Sequence, residues 1–191
     1  SDYIDTVQSG LVIFDGATGT NLQMVGLTAD DFGGASLEGC NELLNLRRPD
    51  VIRDLHRSFL EVGVDVVETN TFGAFSVPLG EYGLEDQSYE IAASGASLAR
   101  ETVDEFVKAD GRPRFVAGSI GPGTKFATLG QISYRDLADA YEVESSGLID
   151  GGADLLIIET QQDILETKAA IFGAREAFKR VGRSVPIQAS L

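Results

Sequence analysis

The chain has 191 residues, 43% hydrophobic and 24% charged, with 30 acidic against 15 basic residues and a formal net charge of −15. That apolar fraction can build a core and excludes wholesale disorder, and the acidic balance disfavours nucleic acid and anionic membrane surfaces as partners. One cysteine (Cys40) and one histidine (His56) exclude a disulfide, a CxxC redox pair or a Cys/His zinc site within the chain, and suit a reduced, cytoplasmic compartment.

Apolar runs alternate with helical patterns. Leu11–Phe14 reads as a buried strand ending at Asp15, followed by the turn-rich Gly16-Ala17-Thr18-Gly19-Thr20. Gly26 to about Asn45 shows no period and reads as a long loop. Pro49 suits the first turn of a helix whose apolar face is Ile52, Leu55, Phe59 and Leu60 and which stops at Gly63. A second strand, Val64–Val67, runs into Glu68-Thr69-Asn70-Thr71-Phe72-Gly73. A helix over about 89–107 follows, then a third strand at Phe115–Ala117 and the turn Gly118-Ser119-Ile120-Gly121-Pro122-Gly123. Ser133 with Asp136 forms the pattern of a capping box for a helix to about Ile149. Leu155–Ile158 is the fourth strand, ending at Glu159-Thr160. Asp163 with Glu166 is a second capping pair, for a helix ending near Gly182, and Val185–Leu191 begins a fifth strand. Neither an 18-residue apolar run nor an apolar segment behind the acidic N-terminus is present, so no membrane span or secretory signal is read.

Continuous apolar strands separated by helices predict a parallel sheet buried on both faces. Two segments repeat: Gly63-Val64-Asp65 leads to Glu68-Thr69, and Gly152-Ala153-Asp154 leads to Glu159-Thr160. They lie two strand–helix units apart, at about 45 residues per unit, the size expected of a (β/α)8 TIM barrel with long loops. The chain is read as about the first four βα units and part of the fifth strand, a closed barrel needing ~250 residues. A smaller open α/β sheet is the other arrangement of these elements.

The unusual polar residues cluster just after strands, on the edge where parallel α/β folds bind ligands. Asp15, Glu68 and Glu159 would make a negatively charged, partly desolvated mouth, suited to an ammonium group or a metal rather than a phosphate. Neither glycine-rich turn is a phosphate cradle by spacing. The first lacks G-x-G-x-x-G, and in Gly118–Lys125 Thr124 separates the last glycine from the lysine while Pro122 removes an amide donor. His56 and Cys40 read as packed residues, and Met24 and the phenylalanines as core.

Taken in order, Phe14–Thr20, Gly39-Cys40-Asn41-Glu42 with Arg48-Pro49-Asp50-Val51-Ile52, Glu68–Gly73, Ser119-Ile120-Gly121-Pro122 and Glu159-Thr160 resemble the homocysteine-binding (homocysteine S-methyltransferase) domain of cobalamin-dependent methionine synthases, over about Leu11 to Leu191. The resemblance implies a zinc-dependent barrel that moves a methyl group from methylcobalamin on another domain, ultimately from methyltetrahydrofolate, to the zinc-bound thiolate of L-homocysteine. It implies that Asp15 and Glu159 lie near the substrate's ammonium group, and that Gly16, Gly19, Asn70, Thr71 and Ser119 shape the pocket. The family's zinc ligands are three later cysteines, in an Asn-Cys and a Cys-Cys context, which this chain lacks. Residues 1–191 therefore read as the N-terminal part of the domain, with no metal ligand or catalytic group of its own and inactive alone. Its expected partners are L-homocysteine, the rest of the barrel, and folate- and cobalamin-binding domains. Kept beside this are a homocysteine methyltransferase with another methyl donor, a non-catalytic half-barrel module, and an unrelated barrel lyase or pterin-binding enzyme.

Overall fold

The structure, a computed structural model, describes residues 3–190. The elements in chain order begin with α1 (Tyr3–Ser9), α2 (Thr18–Met24), α3 (Ala29–Phe32), α4 (Leu44–Arg47), α5 (Pro49–Val62) and β1 (Val66–Glu68). They continue with α6 (Ser76–Leu79), α7 (Ser88–Asp110), β2 (Phe115–Ile120), α8 (Tyr134–Asp150), β3 (Leu155–Ile158), α9 (Ile164–Val181) and β4 (Ile187–Ala189). The long helices begin and end where capping chemistry puts them. Pro49 occupies the first turn of α5, and Gly63 ends it in the left-handed region at φ 97°. The Ser133 hydroxyl accepts the Asp136 amide at 3.0 Å.

All strands pair in parallel and in sequential order, β1-β2-β3-β4. An unreversed order in which each strand is followed by a covering helix is that of a barrel segment; a doubly wound sheet would reverse direction at a switch point. The two faces differ. Val67, Val116, Leu156 and Ile158 belong to the main core with α7, α8 and α9. Val66, Phe115, Ala117, Leu155 and Ile157 form a separate inner cluster with Val12, Phe14 and Tyr3. Tyr3 of α1 closes that cluster, edge-on to Phe115 and donating to Gln188 Oε1 at 2.8 Å.

The repeated Gly-x-Asp segments do the same work twice. The Asp65 carboxylate accepts the Ile13 amide (3.0 Å) and the Asp154 carboxylate accepts the Val116 amide (2.8 Å), each clamping the start of its strand to the preceding one.

Several sequence expectations are corrected. The first strand shrinks to one parallel bridge, Phe14 to Val66, because it has a partner on one side only and Leu11 and Ile13 point to solvent. The expected loop over 26–45 contains α3, a 3-10 turn at Asn41–Leu43 and the start of α4. The Thr28/Asp31 capping box and Gly33 at φ 97° bracket α3, whose four residues are too few to show a period. α2 likewise replaces most of the first glycine-rich turn. Asp163 caps α9 through the Leu165 amide (2.8 Å), but Glu166 turns inward instead of completing the box. Met24, 73% exposed, is not core, and Phe72 and Phe172 are also exposed.

Candidate functional site

The side chains at β-strand positions alternate, so Val66 and Glu68, Ala117 and Ser119, and Ile157 and Glu159 share the inner face. The last residue of each pair sits at the C-terminal end, and there the three border a cleft of about 490 Å³. Its walls also include Gly16 to Gly19, Asn41, Glu42 and Thr69 to Phe72.

Six of the seven residues expected to meet a ligand lie in this cleft: Gly16, Gly19, Asn70, Thr71, Ser119 and Glu159. Asp15 does not form its wall. It sits one layer behind, where its Oδ2 accepts the Glu68 amide (3.0 Å) and its Oδ1 is buried with no hydrogen-bond partner. Burial above all, then the charges of Glu68 and Glu159, raise its carboxyl to about 8. Glu68 is raised to about 7, first by burial and then by Glu159.

Hydroxyl groups tie the strand ends together. Ser119 Oγ donates to Glu159 Oε1 at 2.6 Å, a charge-assisted bond that holds that carboxylate. Thr71 Oγ1 donates to the Ser119 carbonyl (2.8 Å), so its contact with Thr69 Oγ1 (2.6 Å) is accepted from Thr69, which in turn accepts the Ser119 amide (3.0 Å). Thr160, directly after Glu159, is a non-glycine residue at φ 59°. Such a residue stores roughly 1–3 kcal/mol of backbone strain, a pattern found at ligand sites.

Sequence reasoning left Glu42 and Asn41 out of the expected site. Glu42 reaches the cleft from the 3-10 turn before α4 and accepts the Gly73 amide at 2.9 Å. An acid in an aperiodic segment carries no signal of the strand-end position that identified the others.

The cleft walls hold Glu42, Glu68 and Glu159 and no lysine or arginine. The amides of the second glycine-rich turn are used by the protein: Gly121 donates to the Phe72 carbonyl (2.9 Å) and Gly123 to Glu166 Oε1 (2.6 Å). The site favours a cation and offers no cradle for a phosphate. The residues present do not fit a thiolate-bound zinc. Cys40 is buried, burial and then Glu42 push its thiol up to about 11, and among the described residues no three His, Cys, Asp or Glu side chains converge on a metal position. His56 is buried in α5 with neither ring nitrogen hydrogen-bonded, and burial lowers it to about 4. No described helix is long and apolar enough to cross a membrane.

A parallel barrel-type sheet whose strand ends present acids to a cleft defines an α/β protein of the barrel class. The chain belongs to the homocysteine S-methyltransferase family, whose pattern matches residues 12–191. It is 47% identical over 187 residues to the methionine synthase of Mycobacterium tuberculosis and 46% identical to that of Mycobacterium leprae. Each alignment covers 98% of this chain but 15% of the relative, so the chain spans a small part of the curated proteins it matches. The homocysteine methyltransferase MmuM of Escherichia coli, in its metallated form, superposes with a TM-score of 0.74 at 22% identity, covering 95% of this chain and 64% of that one. Its apo form gives 0.68.

Proposed function

We propose that residues 1–191 are the N-terminal, homocysteine-binding part of a (β/α)8 barrel in a cobalamin-dependent methionine synthase. The observation that carries this is the cleft itself: two strand-end carboxylates, a third from the turn before α4 and several neutral acceptors, without a basic residue, in a chain of this family. Homocysteine brings an α-ammonium group that such a floor complements. Glu159, fixed by Ser119, accepts from the ammonium. Glu68, raised to about 7, adds a partial negative charge beside it and a further acceptor, and Asp15 supports Glu68 from behind through its amide. Gly16 and Gly19 at the start of α2 leave room for the amino-acid end of the substrate, and Asn70 and Thr71 border it.

In this reading the methyl group comes from methylcobalamin carried by another domain, and ultimately from methyltetrahydrofolate bound by a further one. The zinc ligands lie beyond residue 191, so no step is assigned to the metal here. The contribution of this chain is to bind and orient the amino-acid end, and by itself it is inactive. The enzyme acts in the cytoplasm.

Titrating L-homocysteine into the intact protein and its Glu159→Gln variant tests the proposal. A charge-assisted hydrogen bond is worth roughly 1.5–3 kcal/mol, so the variant should bind about tenfold to a hundredfold more weakly, with its zinc content unchanged. Equal affinity in the two proteins refutes the assignment.

A further inference from the structure

Behind Asn70 of the cleft wall lies a second side-chain amide, Asn45, that the sequence reading did not connect with binding. Asn45, in α4, is 2% exposed, and its Nδ2 donates to the Asn70 carbonyl (2.8 Å) and the Ile91 carbonyl (3.2 Å). Asn70, 5% exposed and in the cleft wall, donates from its own Nδ2 to the Asn41 carbonyl (2.8 Å) and to Asn45 Oδ1 (3.0 Å).

Main-chain carbonyls only accept, so the three of them fix which end of each side-chain amide is nitrogen. Asn45 must turn its nitrogen to Asn70 O and Ile91 O, which leaves its oxygen for Asn70. Asn70 must turn its nitrogen to Asn41 O, and its second N–H goes to Asn45. Both hydrogens of the Asn70 amide are then consumed inside the protein. Among the described residues nothing donates to its Oδ1, and that oxygen is the one polar valence the Asn70 side chain has left for the cleft.

The pair is packed closely against α7. A Cβ on Gly95 of α7 would lie 2.6 Å from Asn45 Nδ2 and 2.6 Å from Thr71 Cγ2, so the helix reaches the pair only because residue 95 has no side chain. Ser94 Oγ donates to the Asn45 carbonyl at 3.1 Å.

We infer that Asn45 is a positioning residue for substrate selection: it locks Asn70 so that only a carbonyl oxygen faces the ligand, adding a neutral acceptor that selects the α-ammonium group. This rests on the reading that the cleft takes homocysteine. Without the Asn45 amide the second N–H of Asn70 has no acceptor and turns toward the cleft, so the ammonium meets a donor in place of the acceptor and is repelled.

The test compares two ligands on the intact protein: L-homocysteine, and 4-mercaptobutyrate, which is homocysteine without its amino group, measured by direct titration and by competition. Asn45→Ala should weaken homocysteine binding about tenfold, up to a hundredfold. It should leave 4-mercaptobutyrate within about twofold, since a ligand without an ammonium gains nothing from the acceptor. A merely structural role would loosen the cleft and weaken both ligands alike. Asn70→Ala removes the acceptor directly while keeping the backbone carbonyl that Asn45 needs. It should show the same selective loss, and it decides the matter if Asn45→Ala does not fold. Equal losses for both ligands, or none for either, in a folded variant overturn the role of Asn45 while homocysteine binding by the wild-type protein leaves the proposed function standing. A wild-type protein that binds no homocysteine overturns both.

Discussion

Replacing Asp15 by asparagine should stabilise the protein at alkaline pH. The Asp15 carboxyl holds the Glu68 amide with one oxygen and buries the other without a partner. It is raised to about 8 from an ordinary value of 3.8. Between these values the folded state keeps a proton that the unfolded chain has lost. The contribution of Asp15 to stability therefore falls as pH rises from about 4 to about 8 and is level on either side. Each pH unit in that window costs about 1.4 kcal/mol in full, and water reaching the part-exposed carboxyl trims the total at pH 8 to about 2–4 kcal/mol. In Asp15→Asn the side-chain oxygen can still accept the Glu68 amide, and no charge is buried beside Glu68 and Glu159. The variant should match the wild type near pH 4 and exceed it by about 2–4 kcal/mol at pH 8, or roughly 5–15 °C in melting temperature for a unit of this size. Melts of both proteins every half pH unit from 4 to 8.5 measure the difference directly. A difference that does not change with pH, or a wild type that is the more stable at pH 8, would refute the burial argument.

The His56→Leu variant should gain about 2 kcal/mol over the wild type at pH 5 and show little difference in acid sensitivity above pH 7. The native imidazole is lowered to about 4, so between about 4 and 6.5 only the unfolded chain takes up the proton and stability falls with acid. Urea unfolding at the two pH values would show it, and parallel curves for both proteins would contradict it. Gly173→Ala should destabilise by about 1–3 kcal/mol or more by overpacking, because the added Cβ would lie 2.5 Å from the Ala138 carbonyl where α9 crosses α8. Denaturant midpoints decide this, and an unchanged midpoint would mean that the two helices can part at no cost.

Much of the site was legible because parallel α/β folds place ligand residues by topology. Glu68, Ser119 and Glu159 each follow an apolar run by a fixed parity, so finding the strands was enough to place them on one edge and one face. Asp15 was found by the same logic and yet stands behind the wall, because its strand pairs through a single bridge and its carboxyl turns to the Glu68 amide. Glu42, Asn41 and Asn45 were missed for the opposite reason. They sit in short turns where no period exists, and only the chain's return past β1 brings them to the cleft.

The sequence by itself determined the alternation of strands and helices, the capped helix ends and the acidic strand-end positions, because propensity, periodicity and capping act over a few residues. The matched Asp65 and Asp154 clamps were visible as a repeated motif for the same local reason. The tertiary structure decided which of those groups share space. The elevated carboxyls of Asp15 and Glu68, the Ser119–Glu159 bond and the fixed orientation of Asn70 all arise between residues about 25 to 140 positions apart in the chain. Desolvation and hydrogen-bond saturation depend on what is packed nearby, and packing across such separations is set by the closure of the sheet and its helices rather than by any local pattern.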